Sequence, residues 1–112
     1  ILLITNRGDF TRGIFATLYT AINVPFDVVE KLYNSYYKEE PFVYVAPCDI
    51  NLKIAVQTNK CIVRIEQKGK YLLITSVLDN LLKGASGQAV QNMNLMFDLD
   101  ETTGLKLKPG GF

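Results

Sequence analysis

Four carboxamide side chains, Asn80, Gln88, Gln91 and Asn92, crowd one short stretch of the sequence, and Asn94 lies just beyond. Between the first two runs a string of small residues, Lys83-Gly84-Ala85-Ser86-Gly87. A carboxamide carries a donor and an acceptor on one side chain, which suits it to holding a polar ligand in a single orientation. Small residues let backbone come close to a ligand. The start of a helix adds free N–H groups at the positive end of its dipole. Packing a core requires no such gathering of amides. The same residues also suit a plain helix capped by Ser86 with a polar outer face, and spacing alone leaves both readings open.

Arg12 is the second candidate. A fixed guanidinium grips a carboxylate or phosphate through two parallel hydrogen bonds; the alternative is an ion pair with Asp9 or a glutamate. The chain has two cysteines, Cys48 and Cys61, and no histidine. A thiol near its ordinary pKa of about 8.5 needs a cationic or basic neighbour to ionise at neutral pH. Lys60 adjoins Cys61, but successive strand residues point to opposite faces. Both thiols therefore read as structural, and no catalytic residue and no metal ligand is assigned. Gly84-Ala85-Ser86-Gly87 is a G-x-x-G. The phosphate-loop pattern around it is missing, and RNA clamps sit in a more basic setting than a net charge of +1 provides.

The elements that must position these residues follow from pattern. An apolar run at 1–4 reads as a strand, 6–9 as a turn and 13–22 as a β-branched, aromatic-rich strand. A helix starts at Pro25-Phe26-Asp27, with Asp27 as cap and Glu30 completing a capping box. Its apolar stripe is Val28, Val29, Leu32, Tyr33 and Tyr36, and it ends at Lys38-Glu39-Glu40-Pro41. Short strands are expected at 42–46 and 52–56. A hairpin pairs 61–65 with 71–77 over Gln67-Lys68-Gly69-Lys70. The amide-rich helix runs from Ser86 to about Phe97, and the tail at 106–111 is expected to fray. Hairpins imply antiparallel pairing, so the fold class is α+β: a mainly antiparallel sheet with helices on one face.

With 112 residues, nearly half of them apolar, the chain is one domain and not a disordered segment. Its near-neutral charge argues against nucleic-acid partners. No apolar run approaches the roughly 20 residues of a membrane span. Two cysteines without metal-ligand spacing suit a reducing, cytoplasmic compartment. Apolar strands whose faces exceed what the helices can cover predict self-association, most simply as a two-fold dimer.

Residues 79–97, DNLLKGASGQAVQNMNLMF, continue into Asp98-Leu99-Asp100-Glu101-Thr102-Thr103-Gly104-Leu105. This stretch, 79–105, resembles the C-terminal signature of the N-acetyl-gamma-glutamyl-phosphate reductases of arginine biosynthesis. Phe10-Thr11-Arg12-Gly13-Ile14-Phe15-Ala16-Thr17 and Thr58-Asn59-Lys60-Cys61 resemble two further segments of that family, in family order. The resemblance implies that residues 1–112 are part of a substrate-binding and dimerisation domain, similar to the catalytic domain of glyceraldehyde-3-phosphate dehydrogenase, in a protein with a separate dinucleotide-binding domain. It implies an NADP-dependent reductase, acting as a homodimer or higher homo-oligomer, that turns N-acetyl-glutamyl phosphate into the semialdehyde. The family's cysteine nucleophile and histidine lie in stretches this chain lacks, so the chain by itself is expected to be inactive. By the same resemblance Asn80 contacts the nicotinamide carboxamide, Lys83, Gly84 and Ala85 approach the cofactor, and Arg12 meets the substrate's carboxylate or phosphate. The related aminoadipyl-phosphate reductases of lysine biosynthesis, and a non-catalytic dimerisation module, are the alternatives.

Overall fold

The computed structural model describes residues 1–6 and 8–109. Five strands form one sheet: β1 Leu2–Thr5, β2 Ile14–Ala21, β3 Val43–Val45, β4 Cys61–Lys68 and β5 Tyr71–Leu78. Their order is β1-β2-β5-β4-β3. Every neighbouring pair is antiparallel except β3 and β4. The expected α+β sheet is therefore present, with one parallel edge pair added. Among the described residues two α-helices accompany it, α1 Phe26–Tyr36 and α2 Gly87–Met96.

The β4–β5 hairpin is tighter than its sequence suggests. Lys68 pairs directly with Tyr71, leaving a two-residue turn in which Gly69 has φ +60°. A Cβ there would touch nothing, so glycine is needed for its conformation and not for space, as in type II′ turns.

Helix α1 starts at Pro25, whose carbonyl accepts from the N–H groups of Val28 and Val29 at 3.1 and 3.4 Å. Asp27 therefore lies inside the first turn, where it pairs with Lys31 at 3.7 Å, and is not the cap. The expected stripe also divides. Val29 is buried against Val63, Ile65 and Leu72 with Phe26 and Tyr33 beside it, whereas Val28, Leu32 and Tyr36 face outward.

Residues 52–56 are not a strand. Asn51 accepts a side-chain hydrogen bond from the Lys53 N–H, and Leu52–Ile54 closes as a 3₁₀ turn. Leu52 and Ala55, three residues apart, land together on Ile62 and Val77. This connection between β3 and β4 covers part of the sheet face opposite α1. Helix α1 covers the first face, as expected, and this connection adds cover to part of the other. The rest of that face, including Leu2, Ile4, Tyr19 and Tyr71, borders an open hollow. No helix among the described residues is long and apolar enough to cross a membrane. The tail has no regular structure through Pro109, and the expectation of fraying beyond it falls outside the described residues.

Candidate functional site

Past the end of β5 the chain enters a helical run, and its first residue, Asp79, is fully buried. The Asp79 Oδ1 accepts from the N–H groups of Leu81 and Leu82 at 2.8 and 3.0 Å. Those are the second and third positions of a helix entry, so Asp79 is the true cap of the amide-rich segment. Its Oδ2 accepts from the Gln57 N–H at 2.7 Å. Gln57 sits at φ +63°, a left-handed conformation that costs a non-glycine residue about 1–2 kcal/mol. That bond helps to hold it there.

Arg12 closes the cluster. Its Nη2 donates to Asp79 Oδ1 at 3.2 Å. Its Nε lies 3.1 Å from Oδ2, off the N–H direction, so that contact is electrostatic rather than a hydrogen bond. Burial pushes the Asp79 carboxyl up, but the Gln57, Leu81 and Leu82 amides and the Arg12 guanidinium outweigh it and hold the group below the usual carboxylate range. The partner of Arg12 is thus neither Asp9 nor a glutamate. Its guanidinium is held on Asp79 by one hydrogen bond, from Nη2, and by the close Nε contact, and among the described residues Nη1 makes no hydrogen bond. Arg12 also lines an open cleft of about 760 Å³ with Asp9, Phe10, Leu52 and Lys53.

Asn80 follows directly. Its Oδ1 accepts from the Gly13 N–H at 2.7 Å. Among the described residues its Nδ2 has no partner, and the residue is half-buried. Gly13 stands at φ +112°, and a Cβ on it would come within 2.7 Å of Leu52 Cδ2.

The small-residue run is helical. Leu82–Ser86 is a π-helical turn leading without a break into α2. The Gly84 N–H reaches the Asp79 carbonyl at 2.9 Å, and the Ser86 N–H reaches that of Leu81 at 3.2 Å. Ser86 is accordingly no cap; its hydroxyl donates back to the Leu81 carbonyl at 2.8 Å. Short π-helical turns of this kind occur frequently at functional sites.

The two glycines flanking this turn differ. A Cβ on Gly87 would overlap Asn59 Oδ1 and lie 2.9 Å from the Leu82 carbonyl oxygen, so Gly87 serves packing. A Cβ on Gly84 would meet nothing closer than 3.5 Å, with Asn80 Cβ at 3.9 Å. Gly84 and Ala85 are exposed. No internal contact demands a glycine at 84.

The amides themselves divide. Lys83 Nζ donates to Gln91 Oε1 at 2.7 Å, and Gln91 in turn donates to Glu101. Asn94 is buried and donates to the Glu101 and Thr103 carbonyls at 3.2 and 3.0 Å. Gln88 and Asn92 are exposed. Asn80 alone joins the Arg12–Asp79 cluster, while Lys83 is turned into the bracing of α2. Sequence reasoning missed Asp79 as cap and Asn59 as the wall behind Gly87. The available signal for Asp79 was an aspartate two and three residues ahead of a leucine pair.

Cys61 Sγ lies 3.5 Å from Ser76 Oγ and packs against the α1 side of the core. Cys48 is exposed. No group of three or more Cys, Asp or Glu among the described residues could hold a metal ion.

Residues 1–80 match the family described as semialdehyde dehydrogenase, dimerisation domain. Among curated proteins, the N-acetyl-gamma-glutamyl-phosphate reductase of Flavobacterium johnsoniae is 61% identical over 112 residues, covering 100% of this chain and 34% of the relative. The one from Karelsulcia muelleri is 50% identical over 111 residues, 99% of this chain and 34% of the relative. That of Phocaeicola vulgatus is 56% identical over 106 residues, 95% of this chain and 33% of the relative. The chain thus spans about a third of the length of the curated relatives it matches.

Proposed function

The chain belongs to the semialdehyde dehydrogenase family through its dimerisation domain, and from that premise we propose that it is the C-terminal part of a cytoplasmic, NADP-dependent reductase. The full-length enzyme converts N-acetyl-glutamyl phosphate to the semialdehyde in arginine biosynthesis. Likeness along the whole chain to reductases of that name supports the reading. The observation that carries it is Asn80, whose Nδ2 has no partner among the described residues and whose Cβ lies next to an exposed glycine at 84 that no internal packing explains.

These residues fit a nicotinamide ring carrying a carboxamide. Asn80 supplies a polar anchor, and the exposed Gly84-Ala85 backbone lets the ring approach closely. The Lys83 ammonium, braced by Gln91, adds positive charge near the same turn. NADPH, when bound, supplies the hydride. Arg12 meets the substrate's anionic group at the cleft it shares with Lys53, with its Nη2 already given to Asp79. The thiol nucleophile and its histidine partner belong to the remainder of the protein.

Asn80→Ala in the full-length enzyme is expected to slow hydride transfer at least roughly tenfold by letting the nicotinamide misorient. Single-turnover kinetics at saturating cofactor measures this. Unchanged transfer together with unchanged cofactor affinity removes Asn80 from the site.

The partner in assembly is a second copy of the chain. Leu73 pairs with Tyr19, and Tyr19 with Leu2, on one face of the sheet, beyond the part that the 3₁₀ connection covers. A two-fold contact hides such a face with one surface. The full-length enzyme should scatter light as a dimer or higher oligomer, and Leu73→Arg should drive it toward monomer across a micromolar dilution series. An assembly indifferent to that charge uses another face.

A further inference from the structure

Along the outer side of α1, Val28, Leu32 and Tyr36 recur every fourth residue, and each is half or more exposed. Beside this ridge, Leu32, Tyr33, Tyr36 and Tyr37 line an open apolar hollow of about 340 Å³. Its tyrosines hold one another: Tyr36 and Tyr37 meet edge to face at 4.9 Å, and Tyr33 and Tyr37 lie tilted at 6.1 Å. A ridge and an apolar groove side by side on one helix are self-complementary. A two-fold copy lays its ridge in the groove and receives the other ridge in return. The charges match the same arrangement. Asp27 and Lys31 share one flank, paired at 3.7 Å, and Lys38 falls on that flank by helical spacing. Asp27 stands five residues before Leu32 and Lys38 six after it. In an antiparallel pair centred on Leu32 like flanks meet, so each Asp27 comes opposite the partner's Lys38. Their internal pairs, with Lys31 and Glu39, are exposed and 3.7 Å long. Such pairs hold weakly and leave both side chains free to turn outward.

We infer that α1 is a second self-contact, which joins two sheet-paired dimers into a closed tetramer. The inference rests on the reading of the Leu73–Tyr19 face as the first contact. Helix α1 lies on the other side of the sheet, over Val63, Ile65 and Leu72, so neither contact blocks the other. One helix ridge offers less than the roughly 800 Å² per partner that a stable interface buries. Between two dimers the α1 contact forms twice at once, so it holds there and not between single chains.

Analytical ultracentrifugation of the full-length enzyme over a dilution series tests this. Wild type should sediment as a tetramer that releases dimers on dilution. Leu32→Glu should remain a dimer throughout, with the circular dichroism of wild type. Leu73→Arg should yield monomers and not dimers joined through α1. Asp27→Lys and Lys38→Asp should each raise the dissociation constant of the tetramer about tenfold, since each contact holds the pair twice and forms twice. Combining the two should restore it. A wild type that never exceeds a dimer overturns the inference. So does a tetramer that Leu32→Glu leaves intact, and a lowered thermal midpoint in that variant assigns the ridge to the remainder of the same protein. A double charge variant as weak as the single ones overturns the antiparallel pairing. If Leu73→Arg stays tetrameric while Leu32→Glu gives dimers, the α1 contact stands and the reading of the sheet face falls.

Discussion

Gly87→Ala is expected to destabilise the protein by about 2–3 kcal/mol, although alanine is the better helix former by about 1 kcal/mol. The added methyl group would overlap Asn59 Oδ1 and press on the Leu82 carbonyl. Asn59 cannot retreat cheaply. It is buried, and its Nδ2 holds the Leu105 carbonyl at 2.9 Å. Overpacking of this kind costs about 1–3 kcal/mol, and a lost buried hydrogen bond adds about 1 kcal/mol. Urea unfolding monitored by circular dichroism measures the difference. Gly84→Ala is the control, since its methyl group meets nothing closer than 3.5 Å. It should leave stability unchanged or raised by up to about 1 kcal/mol. Equal stability of the two variants would show that Asn59 yields and that Gly87 is not a packing residue.

Asp79→Ala should have the largest effect, about 4 kcal/mol. It strands three N–H donors and the Arg12 guanidinium together. Breaking a buried pair costs about 3–5 kcal/mol, less here on the Arg12 side, whose side chain is 27% exposed. The orphaned amides add to this. Arg12→Met leaves the three amide bonds in place and should cost distinctly less.

The same carboxylate sets an acid limit. Its pKa is lowered in the folded state, while the unfolded chain titrates near the ordinary value of about 3.9. Between the two, the unfolded chain binds a proton that the folded one refuses, so stability rises with pH across that window. The contribution is complete above the unfolded value and is lost as pH falls through the folded one. Urea midpoints measured downward from about pH 6 should show this slope, and Asp79→Asn should flatten it. A wild-type slope persisting in that variant would assign it to other carboxylates.

Elements whose signal is local were legible in the sequence. The β4–β5 hairpin follows from a glycine turn between apolar strands, and α1 from its stripe. What sequence could not supply was the far end of each interaction. Asp79 drew no reading of its own because two of its partners, Gln57 and Arg12, lie 22 and 67 residues away. Leu52 and Ala55 could be strand or turn until the sheet beneath them chose. Small residues at 84–87 read as a loop, yet they fold as a π turn, and no periodicity announces one. For Asn80 the side chain's chemistry was readable, but the N–H that its oxygen meets, contributed by Gly13 67 residues away, was not. Arg12 shows the reverse case: the chemistry of its fork was foreseen and its occupant was not.

The π turn has a consequence for how this segment tolerates changes in length. Each residue of an α-helix turns its neighbours by about 100°, and a π turn carries more residues per turn than that. Leu82–Ser86 therefore offsets the rotational phase of α2 from that of the cap at Asp79. Removing one residue from the turn would let the backbone relax into a regular α-helix. The wide turn already absorbs that extra residue, so Gly87 would still meet Asn59 and Asn94 would keep the Glu101 and Thr103 carbonyls, whereas a residue removed from within α2 would swing both away. The turn can gain or lose a residue, whereas the residue count of α2 works like the tooth spacing of a gear. It keeps a helix braced by the tail in step with a cap braced by the sheet.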